Sequence, residues 1–162
     1  MVLKEENGYY EINCNEALWA TDKHHELYLK SGSVLSDADW IIETKDEEII
    51  IIEYKNGMIS DKSQFKPNED KKVKSVARKF YDTLHFLNMS LKNFPVKYIY
   101  VLEWKNSDAA MRKALRNKIK KLLPFKMQEN FQKKLISEFD IISISEWNER
   151  YPQFPILRTE KI

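Results

Sequence analysis

The sequence predicts a mixed α/β domain in which helices pack on one small sheet. Three observations carry that expectation. Two short runs rich in isoleucine, Asp39 to Thr44 and Glu48 to Lys55, stand only three charged residues apart. A long segment follows in which apolar residues recur at helical spacing, and then a third β-rich run, Tyr98 to Trp104. Two further helical segments precede a last apolar run, Phe139 to Ile144. The predicted order is α-β-β-α-β-α-α-β.

Each element has a local reason. Asn15 is a capping residue for a first helix from about Glu16 to Lys30, which Ser31-Gly32 would end. Lys45-Asp46-Glu47 reads as a hairpin turn between the first two strands. Residues 58–69 read as a loop with Pro67 near its end. The second helix, about Asn68 to Leu91, carries Val73, Val76, Ala77, Phe80, Leu84 and Leu87 on one face. Ser107 would cap a basic helix to about Leu123. Pro124 separates it from a helix around Met127 to Ser137, and Ser145 to Tyr151 begins a short helix or turn.

A chain of 162 residues suggests one domain, residues 1–162. Its 43% apolar and 12% aromatic content is that of a globular protein. Only Gly8, Gly32 and Gly57 are glycines, which excludes a Gly-rich phosphate loop. A single cysteine, Cys14, excludes an internal disulfide framework and a zinc–cysteine cluster, and fits a reducing cytoplasm. No apolar run approaches membrane-spanning length, and the opening MVLKEENGYY lacks an apolar signal core. The expectation is a cytoplasmic protein without a membrane partner.

The net charge of +2 hides an asymmetry. Residues 1–60 hold five lysines against thirteen carboxylates, whereas residues 61–135 hold nineteen Lys and Arg against seven. Two solvated faces would explain this, as would an acidic metal site beside a phosphate-binding surface.

The stretch SDADWIIETKDEEIIIIEYKNG, residues 36 to 57, favours the second explanation. Glu53 and Lys55 share one face of their strand, because side chains alternate. A turn over Lys45 to Glu47 sets Thr44 opposite Glu48 and Asp39 opposite Glu53. Directly opposed side chains lie about 5 Å apart at Cβ. Two carboxylates so close repel each other, and a hard divalent cation relieves that repulsion. Metal-bound water is acidified and can attack phosphorus, while a neighbouring lysine orients it or stabilises developing charge.

The pattern resembles the PD-(D/E)XK nuclease superfamily, also called restriction-endonuclease-like. The residues that carry the resemblance are Asp39 in DADWII, then Glu53 and Lys55 in IIIIEYK. It covers residues 15 to about 104, with 105–162 as a helical and strand extension. It implies a mixed sheet flanked by helices and a Mg²⁺- or Mn²⁺-dependent phosphodiesterase. Asp39 and Glu53 would hold the metal, with the Tyr54 backbone carbonyl as a further ligand and Lys55 positioning the water. Some members place another Glu on the first helix; Glu26 is the candidate here, with Asp22 one turn earlier. The proline that precedes the Asp in the family is absent, since Ala38 stands there. Asp37 takes the place of Asp39 if the hairpin register differs.

Lys71, Lys74 and Arg78 form a stripe on the second helix, and Lys113, Arg116, Lys120 and Lys121 cluster on the next. Such stripes neutralise phosphates without reading sequence, and equally they serve as solvated faces. His24 and His25 point about 100° apart on a helix, a poor two-ligand metal site, and with His85 are read as polar or partly buried. Cys14 lacks a local base and is read as structural.

The expected function is a metal-dependent nuclease, acting on DNA in preference to RNA. The alternative is a restriction-endonuclease-like module without catalysis that binds nucleic acid or a protein partner, as an immunity-type protein would. With no separate target-recognition domain visible, specificity would come from a second copy or another polypeptide, or be absent.

Overall fold

The computed structural model describes residues 1–58 and 65–159. The loop expected over residues 58–69 therefore lies partly outside the described residues. The fold is mixed α/β, as expected, with two sheets rather than one.

The main sheet has five strands: β3 (Trp19–Thr21), β4 (Trp40–Glu43), β5 (Ile49–Asn56), β6 (Val96–Glu103) and β7 (Ile136–Ile142), in that spatial order. β3, β4 and β5 run antiparallel, whereas β5, β6 and β7 are parallel. The parallel pairs need crossovers, and helices α2 (Asp70–Met89) and α3 (Ala109–Lys120) supply them. A second, three-stranded antiparallel sheet joins β1 (Val2–Lys4), β2 (Tyr10–Asn13) and β8 (Ile156–Arg158). Helices α1 (His24–Lys30) and α4 (Ile144–Arg150) complete the fold.

β5 is buried on both faces, which explains its continuous isoleucine run. Ile49 and Ile51 pack with Val73, Val76, Phe80 and Leu115 of α2 and α3. Ile50, Ile52 and Tyr54 face the other way, onto Leu3, Ile12, Trp147 and Phe154. The predicted stripe of α2 is buried throughout.

The hairpin register is the expected one. Trp40 pairs with Ile52, and the Thr44 N–H donates to the Glu48 carbonyl at 2.9 Å. Glu47 takes a left-handed φ of 62°, the geometry with which a three-residue loop closes onto twisted strands.

Several expectations are corrected. The helix expected over Glu16 to Lys30 is instead β3 followed by the shorter α1. Trp19 stacks on Phe86 and Lys92 sits over its ring, so burial at the sheet edge outweighs helical propensity. Asn15 caps no helix; its side chain accepts from the chain's amino group. Asp108, not Ser107, caps α3 and accepts from the Met111 N–H at 2.7 Å. The helix expected around Met127 to Ser137 shrinks to one 3-10 turn, Met127–Asn130. The Gln128 amide bonds Leu135 and Ile136, feeding the chain into β7 three residues earlier than expected. α4 opens on a capping box of Ser143 and Glu146. The expected strands do not include β1, β2, β3 or β8, each too short to show a period.

Candidate metal and phosphate site

The site lies where β5 leaves the sheet. Because β4 runs antiparallel to β5, the start of β4 and the end of β5 come together. This is the carboxyl end of the parallel strands, where open α/β sheets commonly bind ligands. Asp39 immediately precedes β4, and continuing the Trp40–Ile52 register sets it opposite Glu53. The Tyr54 N–H donates to Asp39 Oδ2 at 2.7 Å and fixes that carboxylate. The N–H and C=O of one strand residue point to the same flank, so the Tyr54 carbonyl faces the Asp39 side.

Asp39, Glu53, Tyr54 and Lys55 line an open cleft of about 340 Å³. An adjoining cleft of about 320 Å³ shares Asp39 and adds Asp22, His25 and Asp37. The tip of the β1–β2 hairpin forms the opposite wall. There Glu5 is buried and accepts from the Asn7 N–H at 2.8 Å and the Tyr9 N–H at 2.6 Å.

The residue that the sequence reading missed is Lys79. It reaches across from α2, and its Nζ donates to Glu53 Oε1 at 2.6 Å. The signal was available: Lys79 lies three residues after Val76 and four before Thr83, on the edge of the buried stripe.

Burial dominates the electrostatics. Desolvation raises the Glu53 carboxyl to about 8, and the nearby Asp39 charge pushes the same way, while Lys79 opposes both. Asp39 is raised too, again chiefly by burial, against the pull of Lys79 and the Tyr54 N–H. Burial alone would lower Lys79, but Glu53 and Asp39 outweigh it and hold the ammonium above its ordinary range. Glu53 Oε2 is buried without a hydrogen-bond partner among the described residues.

The segment that delivers Asp39 is clamped to α2 and α1. The Ser36 N–H donates to Asp82 Oδ2 at 2.7 Å, and the Ala38 N–H to Thr83 Oγ1 at 3.1 Å. His24 is buried and its Nε2 lies 2.5 Å from the Ala38 carbonyl, while burial lowers its pKa. His24 and His25 both approach Asp37, at 3.4 and 2.8 Å. Asp37 is thus committed to histidines, and the register gives the position opposite Glu53 to Asp39. Thr83→Val should leave the Ala38 N–H unpaired in a buried position. The expected loss is about 1–3 kcal/mol in urea denaturation; an unchanged midpoint would show that the clamp carries no stability.

The other candidates are not drawn to the cleft. Glu26 is exposed and paired with Lys30 on its own helix, so it does not join Asp39 and Glu53. Arg78 holds Asp82 and the Val34 carbonyl. Arg116 lies 2.6 Å from Asp140, and Lys120 sits over the Phe125 ring. Lys71, Lys74 and Lys113 are exposed. None of these six basic residues lines either cleft. Cys14 is buried, and desolvation pushes its thiol up to about 12, which suits a structural role.

Asp39 and Glu53 are the residues here that could hold a hard divalent cation. Mg²⁺ takes one or two protein carboxylates and completes its shell with water and phosphate oxygens. Asp39, Glu53 and the Tyr54 carbonyl are all hard oxygen donors, and the unpartnered Glu53 Oε2 is suited to a cation. Among the described residues no group of three His, Cys, Asp or Glu side chains is disposed to hold an ion. Two carboxylates would therefore carry it. No helix among the described residues is long and apolar enough to cross a membrane.

No protein-family model matches the chain, and no curated protein or solved structure is significantly similar to it.

Proposed function

We propose that the protein is a metal-dependent nuclease of the PD-(D/E)XK kind, hydrolysing phosphodiester bonds of DNA in preference to RNA. The observation that carries this reading is Asp39 opposite Glu53 at the carboxyl end of the sheet, with two lysines lining the same cleft. Setting the buried Glu53 against the half-buried Asp39 is costly unless a cation compensates. When bound, Mg²⁺ or Mn²⁺ would supply an acidified water and polarise the phosphate. Asp39 and Glu53 would hold that ion beside the Tyr54 carbonyl. Lys55, half-buried at the cleft mouth, would orient the water or stabilise the charge that develops on phosphorus. Lys71, Lys74 and Lys113 would grip the nucleic-acid backbone outside the cleft. Arg78, Arg116 and Lys120 are tied to neighbouring groups and would do so less freely.

Calorimetric titration of Mn²⁺ into the wild-type chain and Glu53→Ala tests the metal site. The expected result is micromolar binding that the substitution removes, together with cleavage of plasmid DNA that EDTA stops. Absence of both, with DNA present to complete the coordination shell, would sink the nuclease reading. One observation favours a second reading, a non-catalytic binding module: Lys79 pairs directly with Glu53 Oε1. That reading requires metal affinity that is weak and indifferent to Asp39 and Glu53.

A further inference from the structure

Two lysines stand beside the carboxylate pair, and they differ in kind. Lys55 comes from the strand that carries Glu53, and no hydrogen bond joins it to either carboxylate among the described residues. Lys79 comes from another element and contacts Glu53 Oε1 directly. Its side chain is 25% exposed and that of Glu53 only 7%. A charge-assisted hydrogen bond in such surroundings is among the stronger polar contacts. Lys79 also lines both lobes of the cleft, so its four-carbon stem can carry the ammonium toward either. The backbone beneath it is fixed, since Thr83, one turn on, donates to the Lys79 carbonyl and accepts from Ala38.

Charge accounting then constrains what happens on metal binding. With both carboxylates ionised, as they are above about pH 8, the ammonium groups of Lys55 and Lys79 balance Asp39 and Glu53. A divalent cation on the same carboxylates would leave a surplus of positive charge. One carboxylate oxygen cannot serve a lysine and a metal equally well, so the two cations compete for Glu53 Oε1. A phosphodiester, which carries one negative charge per phosphate, absorbs part of that surplus.

We infer that Lys79 is a tethered counterion of Glu53, displaced when a divalent cation binds, whose freed ammonium then contacts the substrate phosphate. The inference rests on reading Asp39 and Glu53 as a metal site. It assigns Lys79 two opposed effects: it weakens metal binding and strengthens phosphate binding. A merely structural ion pair would not separate these.

The test is titration of Mn²⁺ alone, at about pH 8.5 where Glu53 is ionised, into the wild-type chain, Lys79→Met and Glu53→Gln. Lys79→Met should bind Mn²⁺ more tightly, on the order of tenfold, the scale of one charge-assisted contact. The same variant should cleave DNA more slowly in single-turnover assays at saturating metal. Glu53→Gln should lose Mn²⁺ binding. If Lys79→Met fails to fold by circular dichroism, Lys79→Gln, which keeps a donor without the charge, takes its place with the same expectation. Wild-type binding that depends on Glu53 but does not tighten in the Lys79 variant would overturn this inference and leave the metal site standing. Absence of binding in all three chains, with no DNA cleavage, would overturn both.

Discussion

Lys55→Ala should lower the rate of DNA cleavage by about 10²–10³-fold, the loss typical of removing one group aimed at developing charge. Metal affinity should stay nearly constant. Lys55 is half-buried near the end of β5 and belongs to no ion pair among the described residues, so its removal should leave the fold intact. Single-turnover cleavage and Mn²⁺ calorimetry on the same preparation separate the two effects. Unchanged cleavage would remove Lys55 from the site. If Lys79→Met were then the slow variant, the catalytic cation would come from α2 rather than from the strand.

Glu53→Gln should change how stability depends on pH. The folded carboxyl titrates at about 8, against an ordinary value of 4.5. Between those values the folded chain keeps a proton that the unfolded chain has lost. Raising pH through this window therefore disfavours the folded state, by up to about 1.4 kcal/mol per pH unit. The total is on the order of 3–5 kcal/mol, levelling off above about pH 8. The raised Asp39 acts in the same direction from a lower pH. Lys79, raised above 10.5, is protonated across the window and does not bend the curve there. His24 runs the other way, because its lowered pKa makes the fold gain stability as pH rises through its titration. The informative quantity is thus the difference between variant and wild type. A glutamine still offers an oxygen to Lys79 but carries no charge. Glu53→Gln should match the wild type near pH 4 and be several kcal/mol more stable near pH 8.5 in urea denaturation. A difference that stays constant across that range would show that Glu53 titrates normally.

Glu53, buried beside the half-buried Asp39, costs stability until something neutralises the pair. Lys79 offsets part of the cost in the free protein. The acidic tip of the β1–β2 hairpin adds Glu5 and Glu6 to the cleft wall, so nucleic acid would enter past negative as well as positive charge.

Much of this was legible in the chain because it depends on local periods. The isoleucine run of β5, the stripe of α2 and the three-residue turn between Thr44 and Glu48 each follow from spacing of two or of 3.6 residues. The turn length alone sets Asp39 against Glu53, and the structure has that register. The expected first helix is too long because Asn15 reads as its cap, whereas Trp19 and Thr21, both strand-favouring residues, pair with Glu43 and Ile41. Glu26 lies apart from the carboxylate pair, exposed on α1 and paired with Lys30.

What the sequence by itself determined is therefore the mixed α/β class, the paired strands and the opposed carboxylates. All of these follow from the alternation of side chains and the length of one turn. What only the tertiary structure decided is the company those carboxylates keep. Lys79 meets Glu53 across 26 residues, and Ala38 meets Thr83 across 45. The β1–β2 hairpin closes the cleft from the amino-terminal end of the chain. Such contacts depend on how α2 and the small sheet pack on the two faces of the main sheet. Packing over long sequence separations leaves no period in the sequence to read.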